Sequence, residues 1–200
     1  DLHQAIALSP EHLSWYQLAI EKNTVFYTSP PQLPVENILD NLFVEGLALL
    51  ERSQFYQYEV SAFARDERYS RHNKNYWQFG DYLGIGAGAH GKITLANQQI
   101  IRRWKTRTPE DYLVKQDKVA GSQPIGRSEL ALEFMMNHLR LHEGFTKELF
   151  SQRTGLLFSD IEPKLIDLEK QELLEKVGPL YRPTAKGRLF LNNMIAYFDP

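Results

Sequence analysis

The signals for helix starts and stops change abruptly near residue 121, and this change sets the expected domain organisation. The stretch Gly121–Gly126 (GSQPIG) has the composition of a linker. Beyond it, Ser128, Thr146 and Thr184 stand at N-cap positions, each followed by apolar residues at helical spacing. Helices with a small hairpin before the last one have the order of a winged helix. The expected segments are a first domain, a linker and a winged-helix-like helical domain, at residues 1–120, 121–127 and 128–200.

The first 120 residues mix helix and strand patterns. Apolar residues recur at helical spacing over residues 36–52, which predicts an amphipathic helix. Alternation over residues 56–64 (YQYEVSAFA) predicts a single strand, and residues 92–106 predict a hairpin. Residues 71–91 have no clear period and are expected to be mostly loop. The expected fold class is therefore mixed α/β.

Composition excludes several classes of function. No apolar run approaches the roughly 20 residues of a membrane span, so we expect no integral membrane segment. A formal net charge of −2 argues against a nucleic-acid binder. The chain has no cysteine, which excludes disulfides, thiolate metal ligands and cysteine nucleophiles within it. A cytoplasmic location is the default expectation. Because Asp1 lies inside a helical pattern, we also expect this chain to be a piece of a longer protein.

The segment RHNKNYW contains the sharpest candidate for a ligand site. His72 lies beside Asn73, and the rings of Tyr76 and Trp77 follow closely. A neutral imidazole can bind iron or zinc, and flanking aromatic rings can cover a flat ligand. In the alternative interpretation, Trp77 and Phe79 are core residues and His72 is a hydrogen-bonded loop residue.

A glycine-rich run follows this segment. Gly84, Gly86 and Gly88 allow the backbone to come close to a neighbouring strand or to a bound molecule. No helix pattern follows the run, so a dinucleotide fingerprint is not supported. His90 could be a second ligand, although a packing role is expected. Glu59 lies in the middle of a predicted strand and points either into a pocket or to solvent.

Positive charge concentrates after the glycine run. Arg103, Lys105 and Arg107 are expected on one face of a strand. One interpretation is a charged edge strand that resists aggregation. The other is a clamp for an anionic partner such as propionates or phosphates.

Four motifs together resemble a known family. They are HLSWYQLAIEKNT, YEVSAFA, RHNKNYW and DYLGIGAGAHG, in this order. They resemble the radical S-adenosylmethionine family that contains oxygen-independent coproporphyrinogen III oxidase. The HNxxYW pattern is most similar to the HemW branch of that family, proposed to be haem chaperones. The likeness covers essentially all 200 residues, and the helical tail resembles the family's C-terminal domain.

The resemblance implies a partial (β/α) barrel followed by the small helical domain. It also implies a [4Fe–4S] cluster on three cysteines, with S-adenosylmethionine, in the full-length parent; the cluster ligands are absent here. His72 matches the family motif as a haem-iron ligand, with Asn73, Tyr76 and Trp77 around the haem. Cofactor contacts are also expected at Glu59, Gly84, Gly86 and Gly88.

Three functions remain open at this stage. The first is haem binding and delivery to haem-accepting proteins. The second is an oxygen-independent coproporphyrinogen III oxidase that decarboxylates its substrate to protoporphyrinogen, and the third is a protein-interaction fragment without its own ligand site. Without cysteines, the chain should catalyse nothing alone. Exposed sheet edges and apolar surface in a partial barrel predict a homodimer or a repacked arrangement.

Overall fold

The computed structural model describes the chain from Asp1 to Pro200 and divides it into two compact units. The first unit is Asp1–Ser70 and the second is Arg71–Pro200. This division concerns compactness alone, and the domain boundaries expected from the sequence stay a prediction. No helix in either unit is long and apolar enough to cross a membrane.

The first unit contains three helices and three strands. In chain order they are α1 (Leu2–Ala7), β1 (His12–Ser14), α2 (Val25–Thr28), α3 (Glu36–Arg52), β2 (Tyr56–Glu59) and β3 (Ala62–Ala64). The strands form an antiparallel sheet in the order β1-β3-β2. Leu50, Phe55 and Phe63 form a small buried core. Partly buried apolar residues of α1, β1 and α3 pack against it.

The predicted helix over residues 36–52 is confirmed as α3. The single strand predicted over residues 56–64 is wrong, because the chain turns between β2 and β3 and pairs with itself, with Glu59 opposite Ala62. The Glu59 carboxylate accepts hydrogen bonds from the backbone N–H and the hydroxyl of Ser61, both at 3.3 Å. Alternation continued through this tight turn, so the pattern did not reveal it.

The second unit holds the remaining elements. They are α4 (Arg71–Trp77), β4 (His90–Thr94), β5 (Ile100–Lys105), α5 (Pro109–Val114), β6 (Val119–Pro124), α6 (Leu130–His138), α7 (Lys147–Thr154), α8 (Glu162–Lys170), β7 (Leu174–Val177), β8 (Leu180–Pro183), α9 (Ala185–Leu189) and α10 (Leu191–Ala196). A short 3₁₀ helix, Phe158–Asp160, precedes α8.

The sheet of the second unit has the antiparallel order β4-β5-β6. The hairpin predicted over residues 92–106 is confirmed by β4 and β5. β5 is the central strand, so the interpretation of its charges as protection of a sheet edge is wrong. Residues 119–124, which overlap the expected linker, form strand β6 and pair with β5.

Two of the caps predicted for the helical tail, at Thr146 and Thr184, are confirmed. The Thr146 hydroxyl accepts the Leu149 N–H at 3.2 Å, and the Thr184 hydroxyl accepts the Gly187 N–H at 2.9 Å. Ser128 does not cap a helix, because α6 begins after Glu129 and has no side-chain cap. Buried aromatic and aliphatic residues of α6, α7, α8 and the β7–β8 hairpin form the largest core of the chain.

All three sheets are small and antiparallel, and none of them closes into a barrel. The mixed α/β class is confirmed. Closure is not expected here, since a three-stranded sheet has too few strands to curl into a barrel.

Candidate functional site

The segment that carries HNxxYW is a helix, so the prediction of a loop is wrong. Arg71–Trp77 forms α4, a helix of seven residues. Its sequence has no proline, glycine or β-branched residue that would oppose a helix. His72 and Tyr76 are four residues apart and therefore share one face of the helix. Trp77 lies about 100° further round.

α4 ends in a tight turn built around Phe79. Phe79 has a φ of 56°, in the left-handed region, and the Gly80 N–H donates to the Asn75 carbonyl at 2.8 Å. A non-glycine residue in this region costs about 1 kcal/mol or more. Phe79 is only 1% exposed and its ring lies 6.1 Å from that of Phe134. Burial of this ring offsets the cost and anchors the end of α4.

The Glu143 carboxylate holds α4 from a side of the helix away from His72, so His72 stays uncovered. Glu143 accepts hydrogen bonds from Lys74 Nζ at 2.7 Å and from Gln78 Nε2 at 2.8 Å, one on each oxygen. Lys74 lies two positions from His72, which is about 200° round the helix. These contacts therefore fix α4 while the His72 side stays open.

Aromatic rings continue from α4 onto the sheet. The Tyr76 ring lies 5.0 Å from Trp77 and 5.1 Å from Tyr82. Arg140 covers Trp77, with the guanidinium carbon 5.2 Å from the ring centroid. Burial, with a smaller contribution from Tyr76, raises the pKa of the Tyr82 phenol, so it is protonated at neutral pH. Sequence reasoning did not select Tyr82 as a site residue, since its proximity to Tyr76 depends on folding.

His72 has an imidazole available for a ligand. The residue is exposed and forms no hydrogen bond, ion pair or ring contact within the chain. The alternative of a hydrogen-bonded loop residue therefore does not describe it. Asn73 and Trp77 are half-buried, so the four residues of the motif present one exposed imidazole beside packed polar and aromatic groups.

At one position, the glycine-rich run allows two backbone segments of the chain to pack closely against each other. A Cβ atom added to Gly84 would lie 2.5 Å from the His90 carbonyl oxygen, so Gly84 permits close contact with β4. Gly86 has a φ of 107° and nothing within 4 Å of an added Cβ. Gly88 lies in the same turn, where its N–H donates to the Thr106 carbonyl at 2.7 Å. The cofactor contacts expected at these glycines stay a prediction.

Arg103 and Lys105 lie on the face of the sheet opposite to the one that carries Tyr82 and Trp104. The β5 pairing puts Arg103 opposite Gly91, whereas Trp104 is opposite His90 on the alternate face. Arg103 and Lys105 line a cavity of about 70 Å³ together with Gly84. That volume equals roughly two water molecules. Arg107 lies beyond the end of β5, and the anion clamp stays a prediction.

Glu59 belongs to the first unit, in β2, and is 1% exposed. Its two bonds to Ser61 stabilise the turn between β2 and β3, as described above. The expected cofactor role of Glu59 stays a prediction.

The residues present do not fit an iron–sulfur cluster. The chain has no cysteine, and it contains no group of three or more His, Asp or Glu side chains placed to hold a metal ion. No chemical step on this chain can therefore be assigned to such a cluster.

Comparison with known proteins shows what the chain is similar to. A family model for the HemN C-terminal domain matches residues 126–190. The chain is 42% identical to "Heme chaperone HemW" of Escherichia coli over 199 residues, and 40% identical to that of Haemophilus influenzae over 198. Each alignment covers 99% of this chain, but the chain spans only about half of these relatives, 52% and 51% of their lengths.

A solved structure agrees in fold. It is the structure of coproporphyrinogen III oxidase (HemN) from Escherichia coli, a radical SAM enzyme, and it matches with a TM-score of 0.71 and 18% sequence identity. The match covers 99% of this chain and 50% of that chain. The fold is thus that of one half of the HemN structure. Over almost its whole length, the chain is homologous to proteins named heme chaperone HemW, as its motifs predicted.

Proposed function

We propose that this chain supplies the haem-binding helix of a HemW-like haem chaperone, in which His72 binds the iron. The observation that carries the proposal is the exposed, unpartnered imidazole of His72 on a helix that is fixed from another side. The relatives that match almost the whole chain at 42% and 40% identity are named as haem chaperones, which supports this function over the oxidase.

Each residue of the motif has a distinct part in the proposed site. The His72 imidazole would donate a nitrogen lone pair to the iron. Tyr76, on the same helical face, presents an aromatic ring beside the macrocycle. Trp77 and Asn73 belong to the adjacent face, and Trp77 packs under Arg140. Because the imidazole is exposed, the bound haem remains accessible to a haem-accepting protein, which a carrier requires.

Hemin titration of the full-length protein tests this proposal. Wild-type protein should give a shifted Soret band, and His72→Ala should lose that spectrum and bind hemin at least tenfold more weakly. The matched control is His3→Ala, since His3 is also exposed but lies in the first unit. An unchanged spectrum and affinity in His72→Ala would refute the proposal.

Other parts of the expected function remain proposals of lower rank. The cluster and S-adenosylmethionine would belong to the part of the parent outside this chain, since no cysteine is available here. A location in the cytoplasm, the absence of nucleic-acid partners and a homodimer stay predictions.

A further inference from the structure

A second aromatic pair lies on the same face of the sheet as Tyr82. His90 on β4 is paired directly with Trp104 on β5, and their rings stack with centroids 6.4 Å apart and planes 27° apart. His90 is exposed and has no hydrogen-bond partner, and Trp104 is half-exposed. A Cβ on Gly121 would lie 2.1 Å from the Trp104 ring, so the indole packs directly against β6 at this glycine.

The strand register connects this pair with the His72 helix. Tyr82 is bridged to Lys92, with two backbone hydrogen bonds of 2.9 and 3.0 Å. His90 is two residues before Lys92 and is therefore a diagonal neighbour of Tyr82 on the same face. Such neighbours are roughly 7–8 Å apart, within reach of aromatic side chains. On the other side, Tyr82 contacts Tyr76, which shares a helical face with His72.

These side chains form an aromatic strip: ring contacts join Tyr76 to Tyr82 and His90 to Trp104, and the strand register makes His90 a diagonal neighbour of Tyr82. Its members, in spatial order, are His72, Tyr76, Tyr82, His90 and Trp104. We propose that the haem site extends along this strip and that His90 and Trp104 form its far wall, in contact with the porphyrin ring. The proposal rests on the proposed function, since it names further residues of the same site.

The chemistry of the strip suits a flat anionic ligand. A porphyrin offers a broad π surface, which stacks on indole and imidazole rings. Arg102 lies on the same face, opposite Lys92, and its side chain is 40% exposed. Glu133 binds one terminal nitrogen of Arg102, and the Nε atom has no partner. The other terminal nitrogen retains N–H groups that can donate to a ligand carboxylate.

The role of a wall is distinct from that of an iron ligand. A wall needs a ring, whereas a ligand needs the imidazole nitrogen. His90→Phe preserves the ring and removes the nitrogen, and His90→Ala removes both. The two variants therefore separate the two roles at one position.

Hemin titration of the full-length protein tests the wall, with Soret spectra and quenching of tryptophan fluorescence as readouts. His90→Ala and Trp104→Leu should weaken hemin binding roughly three- to tenfold. His90→Phe should stay within about twofold of wild type. The His72-dependent Soret spectrum should be unchanged in all three variants. Far-ultraviolet circular dichroism confirms folding, and His3→Ala is the control for loss of an exposed imidazole.

The outcomes separate this inference from the proposed function. Wild-type affinity in both His90→Ala and Trp104→Leu, with binding still lost in His72→Ala, overturns the wall and leaves the proposed function standing. A loss in His90→Phe equal to that in His90→Ala, with a shifted Soret band, also overturns it, because His90 then acts as a ligand. Failure of the wild-type protein to bind hemin overturns the proposed function itself.

Discussion

At the scale of single residues, the second unit buries a titratable group that the proposed site does not use. His138 on α6 is 0% exposed and neither ring nitrogen has a hydrogen-bond partner. Its ring lies between those of Phe134, at 4.8 Å, and Phe145, at 5.5 Å. Burial lowers the pKa of His138 to about 4, from an ordinary value of 6.5. The folded protein therefore keeps this imidazole neutral.

This burial predicts an acid-labile fold. Above pH 6.5 His138 is neutral in both the folded and the unfolded state. Between pH 6.5 and about 4 only the unfolded state binds the proton, so the free energy of unfolding falls as the pH is lowered. The loss amounts to about 3 kcal/mol and levels off below the folded-state pKa. Chemical denaturation at pH 7.5 and pH 4.5 measures it.

Variants isolate the contribution of His138 from that of the carboxylates. His138→Leu should remove this part of the pH dependence, because leucine cannot bind a proton. His90→Gln, which removes an exposed imidazole from the same unit, should leave the slope unchanged. Equal slopes for wild type and His138→Leu would contradict the account of His138.

At the scale of elements, α4 depends on its surroundings. A helix of seven residues is too short to be stable in isolation. Its position comes from the Phe79 anchor at its end and from the two hydrogen bonds to Glu143. The sequence pattern of residues 71–91 showed no period, because so short a helix with mixed faces gives too little repeat to detect.

Removal of the Glu143 carboxylate should loosen α4 without unfolding the unit. Lys74 and Glu143 are 27% and 41% exposed, so solvent screens their ion pair and we expect a loss of about 1 kcal/mol or less. Glu143→Ala should accelerate amide hydrogen exchange over residues 71–77 and weaken hemin binding a few-fold.

The control is Glu169→Ala, which removes a carboxylate from α8 in the same unit. It should leave exchange in α4 unchanged. High salt should reduce the difference between wild type and Glu143→Ala, because ions screen the Lys74 pair. Identical exchange of α4 in Glu143→Ala and wild type would show that Glu143 does not hold the helix.

At the scale of the whole molecule, the first unit exposes a large apolar surface. On α3, Ile38 and Leu42 lie four residues apart on one face and are 47% and 52% exposed. Leu42 and Trp15 line two neighbouring cavities of about 630 and 440 Å³. A contiguous apolar surface of this kind favours association or coverage by other protein.

We expect the isolated 200-residue chain to self-associate through this surface. Burial of a leucine side chain contributes about 2 kcal/mol, so the loss of Leu42 from the contact is measurable. Leu42→Glu should shift the sedimentation velocity distribution toward monomer. Asn41→Glu, which adds the same charge at the neighbouring position of α3, should retain the association. A monomeric wild-type chain at all concentrations tested would contradict this expectation.

Features that short-range interactions control could be predicted from the amino-acid sequence. The caps at Thr146 and Thr184 are hydrogen bonds across three residues, and the β4–β5 hairpin closes over a short turn, so local pattern was sufficient for each. The motifs that predicted the similarity to HemW proteins are likewise a property of the sequence.

Folding settled which of the candidate residues meet. The bridge from Tyr82 to Lys92 puts the Tyr82 ring on the same face as His90, and the pairing of β6 with β5 puts Gly121 against Trp104. The physical reason is that these pairings depend on hydrogen bonds between segments that the sequence pattern does not link. Residues 71–91 show no alternation, so no local pattern fixes the register of Tyr82, and a shift of one residue would put its ring on the opposite face.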